Sequence, residues 1–423
     1  MNQAGETGVL LEHLFRRQAG RMVAHLTGLL GPANLDLAEE TVQEAMLRAL
    51  QTWPYQGVPE NAGAWLFRVA HNAAIDAVRR RRLTAKKEEE AVADITEAAE
   101  SMLERPDLEE HLRDEELRMI FMCCHPEIGR EASVALSLKT AGGFSVREIA
   151  RAFLAEDAAV AQRLVRAKRQ IRERGMTLEM PTGKDLEKRL DAVLEVIYFV
   201  FNEGYTAHEG EDLIRGDLCG EAFRLVRLIA GSALAQPRVH ALAALIAFQW
   251  ARSPARVDQL GNLVLLEDQD RSLWDAWLIS LGFCHFDSSV AGDAASEFHV
   301  QAAIAATHAR AASEGEIQWG IILQLYDDLL LMNPSPIVAL NRAVAVAKVH
   351  GPQEALAGIE ALRAEPKLRS YYLLLAVRGH LLLDLGRREE AAGSFQAALE
   401  CRCSEPERRF LRRKLGECEA EPA

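Results

Sequence analysis

Apolar side chains recur at steps of three and four along nearly the whole chain of 423 residues, Ala and Leu dominate, and alternating runs of β-branched residues are absent. The pattern predicts an all-α fold. Residues 10–82 make a first helical unit, with internal turns at Gly31-Pro32 and at Trp53-Pro54 through Pro59, where Gly and Pro interrupt the periodicity. Residues 83–112 are acidic and poor in large apolar side chains, the composition of a linker with some helical tendency. A second unit covers 113–175, and a longer helical region runs over 185–330. The aromatic side chains of that region, Tyr198, Phe199, Phe201, Tyr205, Trp250, Trp274 and Trp277, read as core.

The stretch 331–418 repeats itself. Ala343, Ala355, Ile359 and Leu362 align with Gly379, Ala391, Phe395 and Ala398 at a constant offset of 36. The spacing resembles tetratricopeptide helix pairs, in which small residues let two helices approach closely. Two repeats cannot stand alone. They are expected to stack on the preceding helices and to offer a concave surface to a protein partner or to another part of the same chain.

Charge changes the picture by its distribution. The formal net charge is −13, made of +1 over 1–82, −7 over 83–112, +3 over 113–175 and −10 beyond. A uniformly basic coat for nucleic acid is thereby excluded, and the cationic chemistry is local to the first 175 residues. No apolar run reaches the roughly 18–20 residues of a membrane helix. The opening MNQAGETG lacks the parts of a signal peptide, so a cytoplasmic protein without membrane contact is expected. The seven cysteines fit reduced thiols. Cys123, Cys124 and His125 are contiguous, and on a helix they point in different directions, which is awkward for one shared ion. No metal, cofactor or catalytic residue is expected.

The motif with the clearest geometry lies in the second unit. Ser145-Val-Arg-Glu148 forms a capping box that opens a short helix with Ile149, Ala150 and Phe153 on its inner face. After a turn at 155–157, a longer helix places Val160, Leu164, Ala167 and Ile171 on one stripe. Gln162, Arg166 and Arg169 fall on the opposite side, flanked by Arg163 and Arg172. Two helices joined in this way have the size of a helix-turn-helix. Arg can bond guanine bidentately and Gln can do the same with adenine, while Ala158 and Ala159 are small enough to enter a groove. Arg147, Lys168, Arg169 and Arg172 suit phosphate contacts.

The first unit carries two further surfaces. Asp36 can cap a helix that presents Glu39, Glu40, Gln43 and Glu44, a face that repels DNA and suits a basic protein surface. Trp65, Arg68, His71, Asn72, Arg79 and Arg80 lie on a second helix, where aromatics and amides beside arginines suit single-stranded DNA. Trp65 reads more readily as a core residue than as a stacking platform, and Asp76 as a buttress of its own helix.

At these residues the chain resembles extracytoplasmic-function sigma factors of the sigma-70 family. LAEETVQEAMLRAL resembles the region that grips core RNA polymerase, NAGAWLFRVAHNAAIDAVRRRR the helix that opens and reads the −10 element, and FSVREIARAFLAEDAAVAQRLVRAKRQIRE the region 4 helix-turn-helix that reads the −35 element. The resemblance implies a promoter-specificity subunit, not an enzyme, whose partners are core polymerase and promoter DNA, both duplex and melted. Asp36, Glu39, Glu40, Gln43 and Glu44 would contact polymerase. Asn61, Trp65, Arg68, His71, Asn72, Arg79 and Arg80 would face the −10 strand, with WPYQGVPEN receiving a flipped base. Arg147, Gln162, Arg163, Arg166, Lys168, Arg169 and Arg172 would serve the −35 duplex. Some 250 residues beyond region 4, including NEGYTA at 202–207, resemble a subgroup with a fused C-terminal helical domain that regulates by protein contact or in cis. Two other readings stay open from the residues alone: a polymerase-independent helix-turn-helix regulator with a ligand-sensing helical domain, and an enzyme using the stretch 198–208.

Overall fold

A computed structural model describes residues 18–82, 108–153, 155–205, 213–292, 294–369 and 371–419; for 80–82, 108–111, 151–152 and 367 it describes the backbone alone. Apart from one isolated bridge between Val257 and Leu263, every regular element among the described residues is helical. The all-α fold is therefore observed. No helix among the described residues is long and apolar enough to cross a membrane.

The chain divides into two units, Met1–Phe199 and Val200–Ala423. The first begins with a helix over 18–30, here α1, followed by α2 (Leu35–Gln56), α3 (Ala62–Arg82), α4 (Leu108–Cys123), α5 (Arg130–Thr140), α6 (Val146–Ala152) and α7 (Asp157–Arg174). The division falls within α8 (Gly183–Tyr205). Gly31-Pro32 turns the chain as expected, Gly31 taking a φ of 79° before the short 3-10 turn Pro32–Asn34.

Three local expectations are corrected. Helix α2 continues through Trp53-Pro54 and ends only at Gly57, whose φ of 83° leaves the helix. Trp53, 3 % exposed, is anchored in the core, and Pro54 sits in the last turn, where its missing N–H interrupts little. Asp36 is not the cap: Asn34 occupies that position, without a side-chain cap bond, and Asp36 is the second helical residue. A carboxylate in the first turn is still favoured by the helix dipole. The expected linker is shorter than 83–112, because α4 begins at Leu108 and buries Leu112, Leu117 and Ile120 along one face. Residues 83–107 lie outside the described residues.

The segments of the first unit are joined by close contacts. A Cβ at Gly20 would fall 1.9 Å from the carbonyl oxygen of Ala141, so α1 meets the end of α5 backbone to backbone. His25 Nδ1 stands 2.7 Å from Glu115 Oε2, and Arg21 Nε stands 3.6 Å from Glu116 Oε2.

In the second unit α9 (Gly216–Ala230), α10 (Pro237–Ala251), α11 (Ala276–Ser289), α12 (Glu297–Arg310) and α13 (Trp319–Met332) precede the helix pairs α14 (Pro336–His350) with α15 (Pro352–Leu362) and α16 (Tyr372–Asp384) with α17 (Arg388–Leu399); α18 (Glu405–Glu419) follows. Small residues at the repeat positions act as the spacing suggests. Ala343, Ala355, Ile359, Ala391 and Ala398 are buried, and a Cβ at Gly379 would lie 2.7 Å from the Phe395 ring. Among the aromatics expected in the core, Phe201 and Trp274 are buried, but Trp277, in the first turn of α11, is 59 % exposed.

Candidate functional site

The helix-turn-helix is built by its own cap. Glu148 N–H donates to Ser145 Oγ at 3.1 Å, and Ser145 N–H donates to Glu148 Oε2 at 2.7 Å, so both ends of the capping box are made. Helix α7 then runs from Asp157 to Arg174 and stops at Gly175 in the left-handed region. Val160, Leu164, Ala167 and Ile171 are each at most 4 % exposed, which fixes the rotation of α7. That rotation leaves Gln162, Arg166, Arg169 and Arg172 at the surface, together with Arg147 on α6. Of the expected cations, Arg163 meets Glu131 at 2.8 Å and Arg169 meets Glu173 at 2.6 Å.

On α3 the expected strand-facing residues separate into two groups. Arg68, Asn72 and Arg79 are exposed on one side. Asn61 precedes the helix, and its Oδ1 accepts the Ala64 N–H at 2.9 Å, so its carbonyl is used as a cap. Trp65 is half-buried and packs edge-on against Trp53 with centroids 5.3 Å apart. Arg80 belongs to α3, and its side chain lies outside the described residues.

His71 is a correction. It is 6 % exposed and lies on the stripe of Phe67, Ala74 and Val78, which faces the interior. Burial, then the nearby His25, lowers its pKa to about 4, so at neutral pH it is an uncharged core residue. It does not face a DNA strand.

The acidic face of α2 is present, with Asp36, Glu40 and Gln43 exposed and Glu44 tied to Arg48 at 2.5 Å. Glu39 turns inward and is 8 % exposed. Its partner is a second correction. Lys168 of α7 reaches Asp36 Oδ1 at 2.8 Å and Glu39 Oε2 at 2.9 Å, and its side chain is 13 % exposed. Lys168 is therefore withdrawn from any phosphate. Burial by itself would lower its pKa, but Glu39 and Asp36 outweigh that and raise it. The contact clasps α7 to α2 across 132 residues of sequence, and no local pattern announces it.

Cys123 and Cys124 are buried beside Thr140 and Ser137. Burial raises both thiols, Cys124 to about 12, so neither is a ready thiolate at neutral pH.

Comparison with known proteins adds a family to this geometry. Sigma-70 region 2 matches residues 14–84, which span the acidic face of α2 and all of α3. A family of unknown function, DUF6596, matches residues 189–290. An uncharacterized protein of Rhizobium meliloti (strain 1021) is 43% identical over 391 residues, covering 92% of this chain and 92% of its own. No solved structure matches the chain.

Proposed function

We propose that the chain, whose residues 14–84 match sigma-70 region 2, is a sigma-70 family RNA polymerase sigma factor of the extracytoplasmic-function type with an appended regulatory unit. Membership implies that it binds core RNA polymerase and promoter DNA. In this reading Asp36, Glu39, Glu40, Gln43 and Glu44 address core polymerase. Asn61, Trp65, Arg68, Asn72, Arg79 and Arg80 serve the melted −10 strand, where stacking and cations act together. Arg147, Gln162, Arg163, Arg166, Arg169 and Arg172 serve the −35 duplex. The observation that carries the assignment beyond region 2 is the capped helix-turn-helix, with its buried stripe and its outward Gln162, Arg166, Arg169 and Arg172.

The Lys168 clasp gives this reading a mechanism. Asp36 and Glu39 belong to the proposed polymerase face and Lys168 to the proposed promoter helix, so the clasp occupies one residue set with the other. Core polymerase would compete for the same carboxylates and thereby free α7 for DNA. The helical unit beyond residue 200, with its tetratricopeptide-like helix pairs, would bias that exchange by protein contact.

Adding the purified full chain, or a version ending near residue 180, to core polymerase in an initiation assay tests the proposal. Stimulated initiation is expected from at least one of them, and the difference between the two gives the sign of regulation. Binding of promoter DNA without any effect on polymerase would instead favour an independent regulator. Replacing Gln43 and Glu44 with Lys is expected to weaken core binding by about tenfold or more.

A further inference from the structure

The second unit holds three arginines without an ion pair among the described residues. Arg252 closes α10, Arg256 follows it, and Arg271 opens the short turn before α11. Their guanidinium groups are laid on aromatic rings: Arg252 and Arg271 lie 5.7 and 4.5 Å from the centroid of Trp274, and Arg256 lies 4.0 Å from that of Tyr205. Stacking of this kind holds the guanidinium plane and leaves N–H edges free to donate.

Four donors around this cluster are unspent: Arg252 Nε, Arg271 Nη2, Trp274 Nε1 and Tyr205 OH are buried and have no hydrogen-bond partner, and His308 Nδ1 is likewise buried without one. Trp274 is 6 % exposed and His308 7 %. More than nine-tenths of buried polar groups are ordinarily paired, so orphan donors gathered at one place mark a missing acceptor. The spent bonds go to backbone carbonyls: Arg271 Nη1 donates to His308 O at 2.8 Å and to Ala311 O at 2.9 Å, and Arg256 donates to Tyr205 O. Against the lowering by burial, Glu314 and Glu316 raise the pKa of Arg271 through space without an ion pair to it; Glu314 Oε1 stands 3.7 Å from Lys348, and Glu314 Oε2 and Gln269 Oε1 are buried acceptors that bond none of these donors.

We propose that this cluster is a binding site for a small polyvalent oxyanion, held by Arg252, Arg256 and Arg271 and by the N–H and O–H groups of Trp274 and Tyr205. Charge and donor count agree on the ligand class: concentrated cations repel one another, and a phosphate or a polycarboxylate relieves that repulsion while accepting several bonds at once. Grouping these cations away from water carries a cost. Burial pushes Arg252 below its ordinary pKa, with Arg256 adding to the effect and Tyr205 and Tyr326 opposing it. The same two arginines, Arg252 and Arg271, reinforce burial in lowering His308 to about 3, so His308 stays neutral and leaves the positive charge to the guanidinium groups.

Titration calorimetry of the full chain with inorganic phosphate and, separately, with citrate in chloride buffer tests the site. Saturable binding of at least one anion is expected; preference for phosphate would identify a phosphate-bearing ligand, and preference for citrate a polycarboxylate. Arg252→Gln and Arg271→Gln should each weaken it by about tenfold or more, since hydrogen bonds to charged groups are at stake. Arg224→Gln, at an arginine already paired with Glu221, should leave it unchanged. No saturable binding of either anion, or equal binding by wild type and both variants, overturns the proposal. Thermal melting guards against misfolding: without anion, Arg252→Met should melt at or above the wild-type temperature. A lower melting temperature would make Arg252 a structural residue and overturn the assignment.

Discussion

Lys168 and Arg252 are both cations withdrawn from water at helix surfaces, one in each unit, and the protein treats them in opposite ways. Lys168 sits between Asp36 and Glu39, and its pKa is raised even though burial acts against the charge. Arg252 lies over Trp274 without an ion pair among the described residues, and its pKa is lowered by burial. Desolvation opposes both charges; the difference is made by partners. A desolvated cation with two acids fastens its own chain, whereas one without an acid among the described residues is where we propose an anion binds.

Breaking the clasp should have the largest effect. Lys168→Glu leaves three acids facing one another and should destabilise the first unit by about 3–5 kcal/mol in denaturant unfolding. An unchanged midpoint would reduce the clasp to a surface contact. The pH sign follows from the raised pKa: the contribution of Lys168 is complete at neutral pH and is lost only as the pH climbs through its folded-state value, above the ordinary 10.5.

Acid acts through the histidines, and next in size. The folded-state pKa of His71, about 4, lies below the ordinary 6.5, so the unfolded chain takes up the proton first. Stability should be intact above pH 6.5 and fall by up to about 3 kcal/mol as the pH drops toward 4. Unfolding curves at a series of pH values check this, and His71→Leu should flatten the slope. His308, lowered to about 3, acts in the same direction in the second unit and extends it further into acid.

The comparison is sharpest where the sign reverses. Arg252→Met removes a charge without a partner and should stabilise by about 1–2 kcal/mol, opposite in sign to the change at Lys168. Loss of stability in both variants would erase the distinction drawn between them. The smallest expected effect is at the cap. Ser145→Ala should cost about 1 kcal/mol, read as a lower melting temperature, and should weaken −35 duplex binding if α6 seats α7.

Much of the geometry of α3, α6 and α7 was legible in the chain itself. The capping box at Ser145 and the stripe Val160, Leu164, Ala167, Ile171 are local patterns, and the structure reproduces both. The burial of His71 was legible too, had the phase of Phe67, Ala74 and Val78 been weighed above the chemistry of an imidazole near arginines. The course of α2 through Pro54 was not, because proline usually ends a helix and here the burial of Trp53 prevails. The role of Lys168 could be read only as far as its flank position beside Leu164 and Ile171.

The sequence by itself determined the helical class, the phases of α3 and α7, the helix-turn-helix and the small-residue repeat, since each depends on neighbours within a few residues. Tertiary structure alone decided which charges meet. Asp36 and Lys168 are 132 residues apart, His25 and Glu115 are 90 apart, and Arg252, Arg271 and His308 come from separate elements. Electrostatic energy depends on distance and desolvation in space, and neither is a property of spacing along the chain.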